Sequence, residues 1–317
     1  MSYIKGVDVS GWNPAVDWVK LRSQDIRFAI MKSTEGTDYF SKYFDQQWAG
    51  AKAAGVLRGS YHFLRAAIDG AQQADFFLSK VNVQDGDLPP VLDLEGGNNK
   101  GATNAQFITN AQKWLERVEA KTGRKPIVYS TASFLQTSLS KNGQPPAWAK
   151  NYHTWVAQYF NSHSAESGAQ PTQPAGWGEW IIWQYSGDKL TLDGIYQDEA
   201  RTTLMHVDLN AYRYSIEELY KLAKADPSAP TPTPPTPTPP APTPTPPTPT
   251  PPTPTPPAPT PVNPQPGAPT TYTIKSGDTL WAISIKFGVT VEAITLLNNI
   301  ANANLIQPGQ VLQIPGK

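Results

Sequence analysis

The sequence predicts an α/β fold, an irregular TIM-like β/α barrel of about eight strands with fewer helices, followed by a small α+β domain. Strand-like and helix-like segments alternate through roughly the first 225 residues, and about eight segments are strand-like, as such a barrel requires. After Lys150 the helix-like segments stop. The later strands should therefore be joined by loops, which makes the second half of the barrel irregular.

The strand candidates are short apolar or alternating runs bounded by turn residues: YIKGVDVS, RFAIMKS, GSYHFL, PPVLDLE, PIVYS, TWVAQY, WIIWQYS and LMHVDLN. Helices are predicted over 41–54, 69–80 and 104–122. The last of these has apolar residues at helical spacing, and Gly123 follows it as a stop signal. The stretch 161–179 is rich in Gly, Pro and Ser, and it predicts a loop.

A segment built almost only from Pro, Thr and Ala divides the chain into three parts. We expect a domain at 1–225, an extended linker at 226–269 and a small domain at 270–317. Dense proline favours polyproline II, so roughly 40 residues at ~3.1 Å each reach on the order of 100 Å. We interpret the linker as a spacer; a ligand for SH3-type domains is the alternative.

Composition excludes several functional classes. The formal net charge is zero, which gives no support for nucleic-acid binding. There is no cysteine, hence no disulfide and no cysteine nucleophile or metal ligand. No apolar run is long enough to span a membrane, and the N-terminus lacks a signal-peptide pattern. We expect a monomer without cofactor or metal, cytoplasmic at synthesis.

The stretch PPVLDLEGG raises the question of why an apolar strand ends in two acids. Alternate residues of a strand face opposite sides, so Asp93 and Glu95 share a face with Val91, and two leucines share the other. The leucines suit the layer of helices outside a barrel. The acids then point into the barrel at the carboxyl end of the strand, where barrel enzymes hold their active sites.

The same alternation occurs in the first and last strands. Asp8 in GVDVSGW and Asp208 in LMHVDLNAY each lie opposite flanking apolar residues. The first and last strands of a closed barrel are neighbours, so Asp8 and Asp208 should lie side by side. The sequence therefore predicts four carboxylates around one cleft.

Clustered carboxylates raise one another's pKa, so one can remain protonated near neutral pH. A protonated carboxyl beside an ionised one is what glycoside hydrolysis requires. Two alternatives stay open at this point. Each acid can cap a turn or pair with a cation, or the oxygens can bind a divalent metal ion.

Six motifs occur in one order: GVDVSGW, MKSTEG, SYHFL, VLDLE, WQYS and HVDLN. This set resembles the Chalaropsis-type lysozymes, glycoside hydrolase family 25, over about residues 1–215. The resemblance implies an N-acetylmuramidase that cuts the β-1,4 bond between N-acetylmuramic acid and N-acetylglucosamine. It implies Glu95 as general acid, with Asp93 steadying charge or positioning the substrate's acetamido group, and Asp8 and Asp208 completing an acidic floor. A protein nucleophile, substrate assistance and inversion all remain open.

Five further residues are predicted to contact substrate. Tyr61 shares a strand face with Phe63, opposite His62, and is expected at the cleft. Tyr129 and Trp12 are candidate stacking platforms for sugars. Gln184 is favoured by the family resemblance, and Glu35 is a candidate at the rim.

Residues 272–315 show the order strand, helix, helix, strand, and they resemble a LysM module through GDTLWAI, an Asn pair and LIQPGQVLQIP. LysM modules bind glycans that contain N-acetylglucosamine. The resemblance places the glycan groove at two loops, with these candidate contacts: Gly277, Asp278, Thr279, Leu280, Ile306, Gln307 and Pro308.

The combined expectation is a peptidoglycan hydrolase held on the bacterial cell wall by its LysM module. A non-catalytic wall-binding protein is the main alternative, and a chitinase is weaker because the chitinase strand signature is absent. The organisation resembles a bacteriophage endolysin, released to the wall through a holin. A bacterial autolysin is the other reading.

Overall fold

A computed structural model of the chain describes residues 3–140, 144–160 and 168–227. In the C-terminal part it describes 270–274, 310–315 and single positions between 283 and 300. The chain divides into two compact units, Met1–Ala241 and Pro242–Lys317. Within these described residues, no helix has the length and apolar character needed to cross a bilayer.

The strands, in chain order, are β1 (Ile4–Val9), β2 (Ala15–Val16), β3 (Ile26–Glu35), β4 (Tyr39–Phe40), β5 (Leu57–Phe63), β6 (Val91–Asp93), β7 (Ile127–Thr131), β8 (Thr154–Ala157), β9 (Trp180–Tyr196), β10 (Leu204–Tyr212), β11 (Thr270–Thr273) and β12 (Val311–Ile314). The α-helices are α1 (Trp18–Ser23), α2 (Phe44–Ala53), α3 (Gly70–Lys80), α4 (Asn104–Thr122), α5 (Ala132–Thr137) and α6 (Ile216–Ala223).

Eight strands close into a barrel in the order β1, β10, β9, β8, β7, β6, β5, β3, and β3 pairs back onto β1. Neighbouring strands are parallel except at β10, which runs antiparallel to both β1 and β9. The described residues between β8 and β9 contain no helix. The predicted irregular eight-stranded barrel is confirmed, and its last strand enters by a hairpin instead of a helical crossover.

The three predicted helices correspond to α2, α3 and α4. Helix α4 begins with a capping box between Thr103 and Gln106 and ends at Gly123, whose φ is 63°. Three helices were not predicted. Of these, α1 and α5 have six residues each, too few to show an apolar period. Strand β9 extends beyond the predicted strand 180–186. Its pairing with β10 continues past the sequence SGDK, which by itself favours a turn.

Two apolar layers follow from strand alternation. Phe28, Ile30 and Val91 fill the barrel interior, whereas Met31 and Leu92 pack between the barrel and its helices. At the carboxyl ends of the parallel strands, the side chains that face inward therefore line the mouth of the barrel. This geometry positions the candidate site.

Gly6 in β1 leaves room for the Phe28 ring, which a Cβ at this position would overlap. We expect Gly6→Ala to lower the free energy of unfolding by about 1–3 kcal/mol, as overpacking in a core does. Denaturant unfolding measures this change. Gly97→Ala is the control, because a Cβ at Gly97 meets nothing within 4 Å. Equal stability of the two variants would contradict the prediction.

In the C-terminal unit, β11 and β12 form an antiparallel pair with Tyr272 opposite Leu312. Positions 283, 287, 294–295 and 297 are helical. A small apolar core unites these elements: Ile274, Ile283, Ile294, Leu312 and Ile314. The described positions thus follow the predicted order of strand, helix, helix, strand.

Candidate active site

Three strands bring the four predicted carboxylates to the mouth of the barrel. Asp8 in β1 lies directly opposite Asp208 in β10. Asp93 is the last residue of β6, and Glu95 follows two residues later. The Tyr61 hydroxyl on β5 reports their proximity: its pKa is raised well above the usual value, first by burial and then by the charges of all four acids. The predicted convergence is therefore present.

Glu95 lies just beyond β6, on backbone that neighbouring elements hold in place. The Leu94 amide donates to the Tyr129 carbonyl at 3.0 Å. The Ser130 hydroxyl donates to the Leu94 carbonyl at 2.7 Å, and the Asn99 side chain donates to the Glu95 carbonyl at 2.9 Å. Leu94 is buried on the outer side, so Glu95 is directed to the mouth.

Burial raises the pKa of both central carboxyls. For Asp93 the next cause is the negative charge of Glu95, and the Lys32 ammonium opposes the rise. For Glu95 a hydrogen bond with Tyr129 and the Lys32 charge oppose the effect of burial. Asp93 Oδ1 is buried and, among the described residues, has no hydrogen-bond partner. The pair therefore retains a proton at a pH where an exposed carboxyl is ionised.

Lys32 is a site residue that the sequence analysis missed. It lies on β3, and its Nζ contacts Glu35 Oε2 at 2.6 Å and lies 4.9 Å from the centre of the Phe63 ring. Its charge lowers the pKa of both Asp93 and Glu95. Alternation in RFAIMKS puts Lys32 on the face of Phe28 and Ile30, a signal that could have identified it.

Glu35 is not available to substrate in the way predicted. It is buried at the end of β3, where Lys32 contacts one carboxylate oxygen and Arg65 the other. The Asn98 side chain also donates to Glu35 Oε1 at 3.4 Å. A buried carboxylate requires such partners. Glu35 therefore holds the Lys32 ammonium, whose charge lowers the pKa of the two acids.

Gln184 also differs from its predicted role, because it is 2% exposed and hydrogen-bonds to the acids. Its Nε2 donates to Asp8 Oδ2 at 2.9 Å and to Asp208 Oδ2 at 3.4 Å. Asn210 Nδ2 donates to the same Asp8 oxygen at 2.7 Å, and Trp155 Nε1 donates to Asn210 Oδ1 at 2.8 Å. Gln184 is thus buried among the acids, where its amide bridges Asp8 and Asp208.

Tyr129 is buried as well, which corrects its prediction as a stacking platform. Its ring packs on Trp155 with 4.5 Å between centroids, and its hydroxyl donates to Gln184 Oε1 at 2.8 Å. A second hydroxyl, that of Tyr159, donates to the same oxygen at 2.6 Å. Tyr159 was not predicted; its side chain is 48% exposed beside the mouth.

The two other predicted contacts are accessible. Tyr61 is half-buried, and its neighbours Ser60 and His62 on the other strand face are buried. Trp12 is 77% exposed in the loop after β1, where its amide donates to Ser10 Oγ at 3.2 Å. Both side chains have the exposure that a substrate contact needs, and their roles stay predictions.

The chain matches two known families. Residues 7–195, more than half of the chain, match the family described as glycosyl hydrolases family 25. The chain belongs to glycosyl hydrolases family 25. Residues 272–315 match the LysM domain. The family resemblance and the LysM resemblance seen in the motifs are both confirmed.

Members of family 25 similar to this chain include lysozymes of known sequence and structure. Lysozyme M1 of Streptomyces globisporus is 33% identical over 70% of this chain and 72% of the relative. The N,O-diacetylmuramidase of Chalaropsis sp is 34% identical over 58% of this chain and 88% of the relative. The crystal structure of a lysozyme from Streptomyces coelicolor aligns with a TM-score of 0.59 and 33% identity over 71% of this chain and 98% of that one.

The predictions about the LysM contacts and about a metal ion stay predictions for this family 25 chain. The LysM contacts predicted at the two loops all lie outside the described residues. Among the residues that are described, no group of three or more His, Asp or Glu side chains is arranged to hold a metal ion.

His62, behind Tyr61 in the family 25 barrel, is a buried structural histidine. Its Nε2–H donates to Gln73 Oε1 at 3.1 Å, because the Gln73 amide nitrogen already donates to two carbonyls. Its Nδ1 then accepts from the Thr34 hydroxyl at 2.8 Å, and its ring stacks on Trp114. Burial lowers the pKa of His62 to about 4.

This lowered pKa predicts acid sensitivity of the fold. The unfolded chain binds a proton on His62 below its ordinary pKa of 6.5, and the folded chain does so only below about 4. Stability should therefore fall as pH drops through this window, by about 3 kcal/mol in total. Denaturant unfolding at several pH values measures this slope. His62→Gln should flatten the slope, and an unchanged slope in that variant would contradict the assignment.

Proposed function

We propose that this family 25 chain is a peptidoglycan hydrolase, an N-acetylmuramidase that cuts the β-1,4 bond from N-acetylmuramic acid to N-acetylglucosamine. One observation carries the proposal: Asp93 and Glu95, both with raised pKa, share the mouth of the barrel with Asp8 and Asp208. The names of the related lysozyme and muramidase support the same substrate.

Glu95 has the properties of the general acid. It is partly exposed at the mouth, whereas Asp93 is 5% exposed, so Glu95 is the carboxyl that a glycosidic oxygen can approach. Its raised pKa keeps the proton available at mildly acidic pH. Breaking the glycosidic bond develops positive charge on the sugar, and the acids beside Glu95 stabilise that charge.

Asp93 is suited to hold the substrate's 2-acetamido group. Asp93 is 5% exposed at the mouth, and its carboxylate can accept a hydrogen bond from an acetamido N–H. We propose substrate assistance over a protein nucleophile. A wall de-N-acetylated at muramic acid should then resist cleavage. Normal cleavage of that wall would instead support a direct nucleophile.

The exposed aromatic side chains at the mouth are the proposed sugar contacts. Trp12 presents most of its ring to solvent, and Tyr61 places its hydroxyl among the acids. Aromatic faces bury apolar surface of sugars, and hydroxyls orient them. We assign Trp12 to stacking and Tyr61 to hydrogen bonding. All these residues come from one chain, so a monomer suffices for activity.

The proposed division of labour has three parts: a catalytic domain at 1–225, a spacer at 226–269 and a wall-binding domain at 270–317. The LysM match supports attachment to glycan strands. A tethered catalytic domain meets nearby bonds at high effective concentration. The protein would act at the bacterial cell wall, and residues 277–280 and 306–308 remain the proposed glycan contacts.

The raised pKa of Glu95 predicts the direction of the pH profile. Activity requires protonated Glu95, so the rate should fall as pH rises through that pKa. Initial rates of peptidoglycan solubilisation, measured from pH 4 to about 9 at constant ionic strength, give this limb. A rate that stays constant into alkaline conditions would exclude an essential protonated carboxyl.

The basic test is incubation of the intact chain with purified peptidoglycan. Release of soluble glycan fragments supports the enzyme. Stable attachment to the wall with no released fragment would support the non-catalytic wall-binding protein instead.

A further inference from the structure

Asp8 accepts two hydrogen bonds on one carboxylate oxygen. Asn210 Nδ2 donates to Asp8 Oδ2 at 2.7 Å, and Gln184 Nε2 donates to the same atom at 2.9 Å. Asn210 is fully buried, Gln184 is nearly so, and Asp8 is 9% exposed. Two amides therefore meet one side of the Asp8 carboxyl where little water can reach it.

Strand register explains how Asn210 reaches Asp8. On β10, Asn210 follows Asp208 by two residues, so the two side chains share the inward face. The residue directly opposite Asn210 on β1 is Gly6, which has no side chain. The next inward residue of β1 is Asp8, at the diagonal position across the strand pair. The motif HVDLN thus carries an acid and, two residues later, an amide directed to the acid of the first strand.

Trp155 fixes the direction of the Asn210 amide. Trp155 Nε1 lies 2.8 Å from Asn210 Oδ1, and an indole N–H can only donate a hydrogen bond. The atom of Asn210 that faces Trp155 is therefore the oxygen, and the atom that faces Asp8 is the NH₂ group. This assignment does not depend on the charge of Asp8. Asp8 Oδ2 consequently receives an N–H from Asn210.

The distances around Gln184 fix the direction of the second amide. The hydroxyls of Tyr129 and Tyr159 lie 2.8 and 2.6 Å from Gln184 Oε1, separations typical of O–H···O hydrogen bonds. Gln184 Nε2 faces two carboxylate oxygens, Asp8 Oδ2 at 2.9 Å and Asp208 Oδ2 at 3.4 Å. The reversed amide would place its oxygen against both acids, and each acid would then need a proton. The observed direction needs none.

Other acids at the mouth oppose a negative charge on Asp8. Hydrogen bonds to the ionised form of a carboxyl stabilise that form, so the two amides act against this repulsion. The charged and titratable groups around Asp8 at the mouth are Lys32 and Glu35 on β3, Tyr61 on β5, Asp93 and Glu95 at the end of β6, Tyr129 on β7, Tyr159 after β8 and Asp208 on β10.

Asp93 has a different environment in the same mouth. Its Oδ1 is buried and, within the part of the chain that the structure describes, accepts no hydrogen bond. Burial is the first cause of the raised pKa of Asp93, because it disfavours the charged form. Two acids of one mouth therefore differ in the number of N–H groups that support a negative charge, and Asp8 is the better supported.

We propose that Asn210 and Gln184 are positioning residues that keep Asp8 ionised, so that the proton retained by the acidic mouth lies on Asp93 or Glu95. The proposal rests on the proposed function, in which this mouth is catalytic. Asp8 then supplies a fixed negative charge near the sugar on which positive charge develops. No bond to hydrogen forms or breaks at Asp8 during the reaction.

The experiment measures the ionisation of Asp8 directly, by carbon-13 NMR of side-chain carboxyls in the intact, substrate-free chain. Asp8→Asn assigns its resonance, and Asp93→Asn and Glu95→Gln assign the other two. In wild type the Asp8 resonance should be that of a carboxylate at about pH 5, where the resonances of Asp93 and Glu95 still titrate.

Asn210→Leu removes one donor and keeps the size of the side chain. The Asp8 titration should move up by about one to two pH units, the effect of one hydrogen bond to a charged group. The acidic limb of kcat/KM should move up with it, because uncharged Asp8 cannot stabilise positive charge on the sugar. Gln184→Met removes the other donor, leaves the bond between Trp155 and Asn210 in place, and should move the titration in the same direction. This second variant provides the test if Asn210→Leu does not fold.

Thr34→Val is the matched control. It removes a buried hydroxyl that bonds to His62 and not to Asp8, and it keeps the shape of the side chain. The Asp8 titration should stay within about 0.3 pH unit of wild type in this variant. An upward shift as large as that of Asn210→Leu would overturn the proposal, because the effect would not be specific to the amides.

Two further results would overturn the proposal. One is a wild-type Asp8 that titrates at or above the pH at which Asp93 and Glu95 titrate. The other is an Asp8 titration that both amide variants leave within about 0.3 pH unit of wild type. If the Asp8 shifts appear as expected but the wild-type chain releases no fragment from peptidoglycan, the proposed function fails and the assignment of charge to Asp8 stands.

Discussion

Glu95→Gln is expected to slow peptidoglycan solubilisation by on the order of 10³-fold, because the amide cannot give a proton to the leaving oxygen. Size and shape are preserved, so the backbone contacts that hold residue 95 should persist. Turbidity loss of purified peptidoglycan measures the rate. Binding to the same peptidoglycan, measured by pull-down, should match wild type because the LysM match lies at 272–315.

The matched control is Glu116→Gln, the same substitution at an exposed position of α4. Glu116 accepts a hydrogen bond from Gln112 on the same exposed helix face, and its loss should leave the rate within about twofold of wild type. If Glu95→Gln lyses as fast as this control, Glu95 is not the acid and the site assignment is wrong.

Asp93→Asn is expected to lower kcat by on the order of 10²-fold to 10³-fold with a smaller change in KM. The substitution keeps the volume of a buried side chain but removes the negative charge that supports the developing oxocarbenium ion. It also replaces one carboxylate oxygen with an NH₂ group that cannot accept from the substrate's acetamido N–H. Steady-state rates on soluble glycan fragments measure the two constants separately.

Asp75→Asn is the control for this prediction. Asp75 forms an ion pair with Arg117 between α3 and α4, and both side chains are exposed. Exposed pairs contribute little to stability, so this variant should keep wild-type kinetics. An Asp93→Asn enzyme that retains more than about a tenth of wild-type kcat would show that Asp93 has no central role in the reaction.

Strand alternation was sufficient to predict the acidic mouth. In VLDLE it put Asp93 and Glu95 on the inward face, and in the first and last strands it did the same for Asp8 and Asp208. Barrel closure then required β1 and β10 to be neighbours, and the register places the two aspartates opposite each other. These inferences need only the local period of a strand and the topology of a closed sheet.

The environment of each inward side chain could not be predicted in this way. Tyr129 and Gln184 lie on inward faces, but their burial depends on contacts between strands about 55 residues apart in sequence. Tyr129 was predicted as a sugar platform, but its hydrogen bond to Gln184 and its packing on Trp155 leave it buried. The position of Glu35 is likewise set by its ion pairs with Lys32 and Arg65, which form only in the folded barrel.

The most direct test of the central claim is the identity of the new reducing ends in digested peptidoglycan. The intact chain is incubated with purified wall, the products are reduced with borohydride, and the sugar alcohols are identified after acid hydrolysis. A muramidase leaves N-acetylmuramic acid at the new ends, so muramitol should appear and should be absent from the Glu95→Gln digest. Glucosaminitol in place of muramitol would contradict the assigned bond. The absence of both alcohols would contradict glycoside hydrolysis altogether.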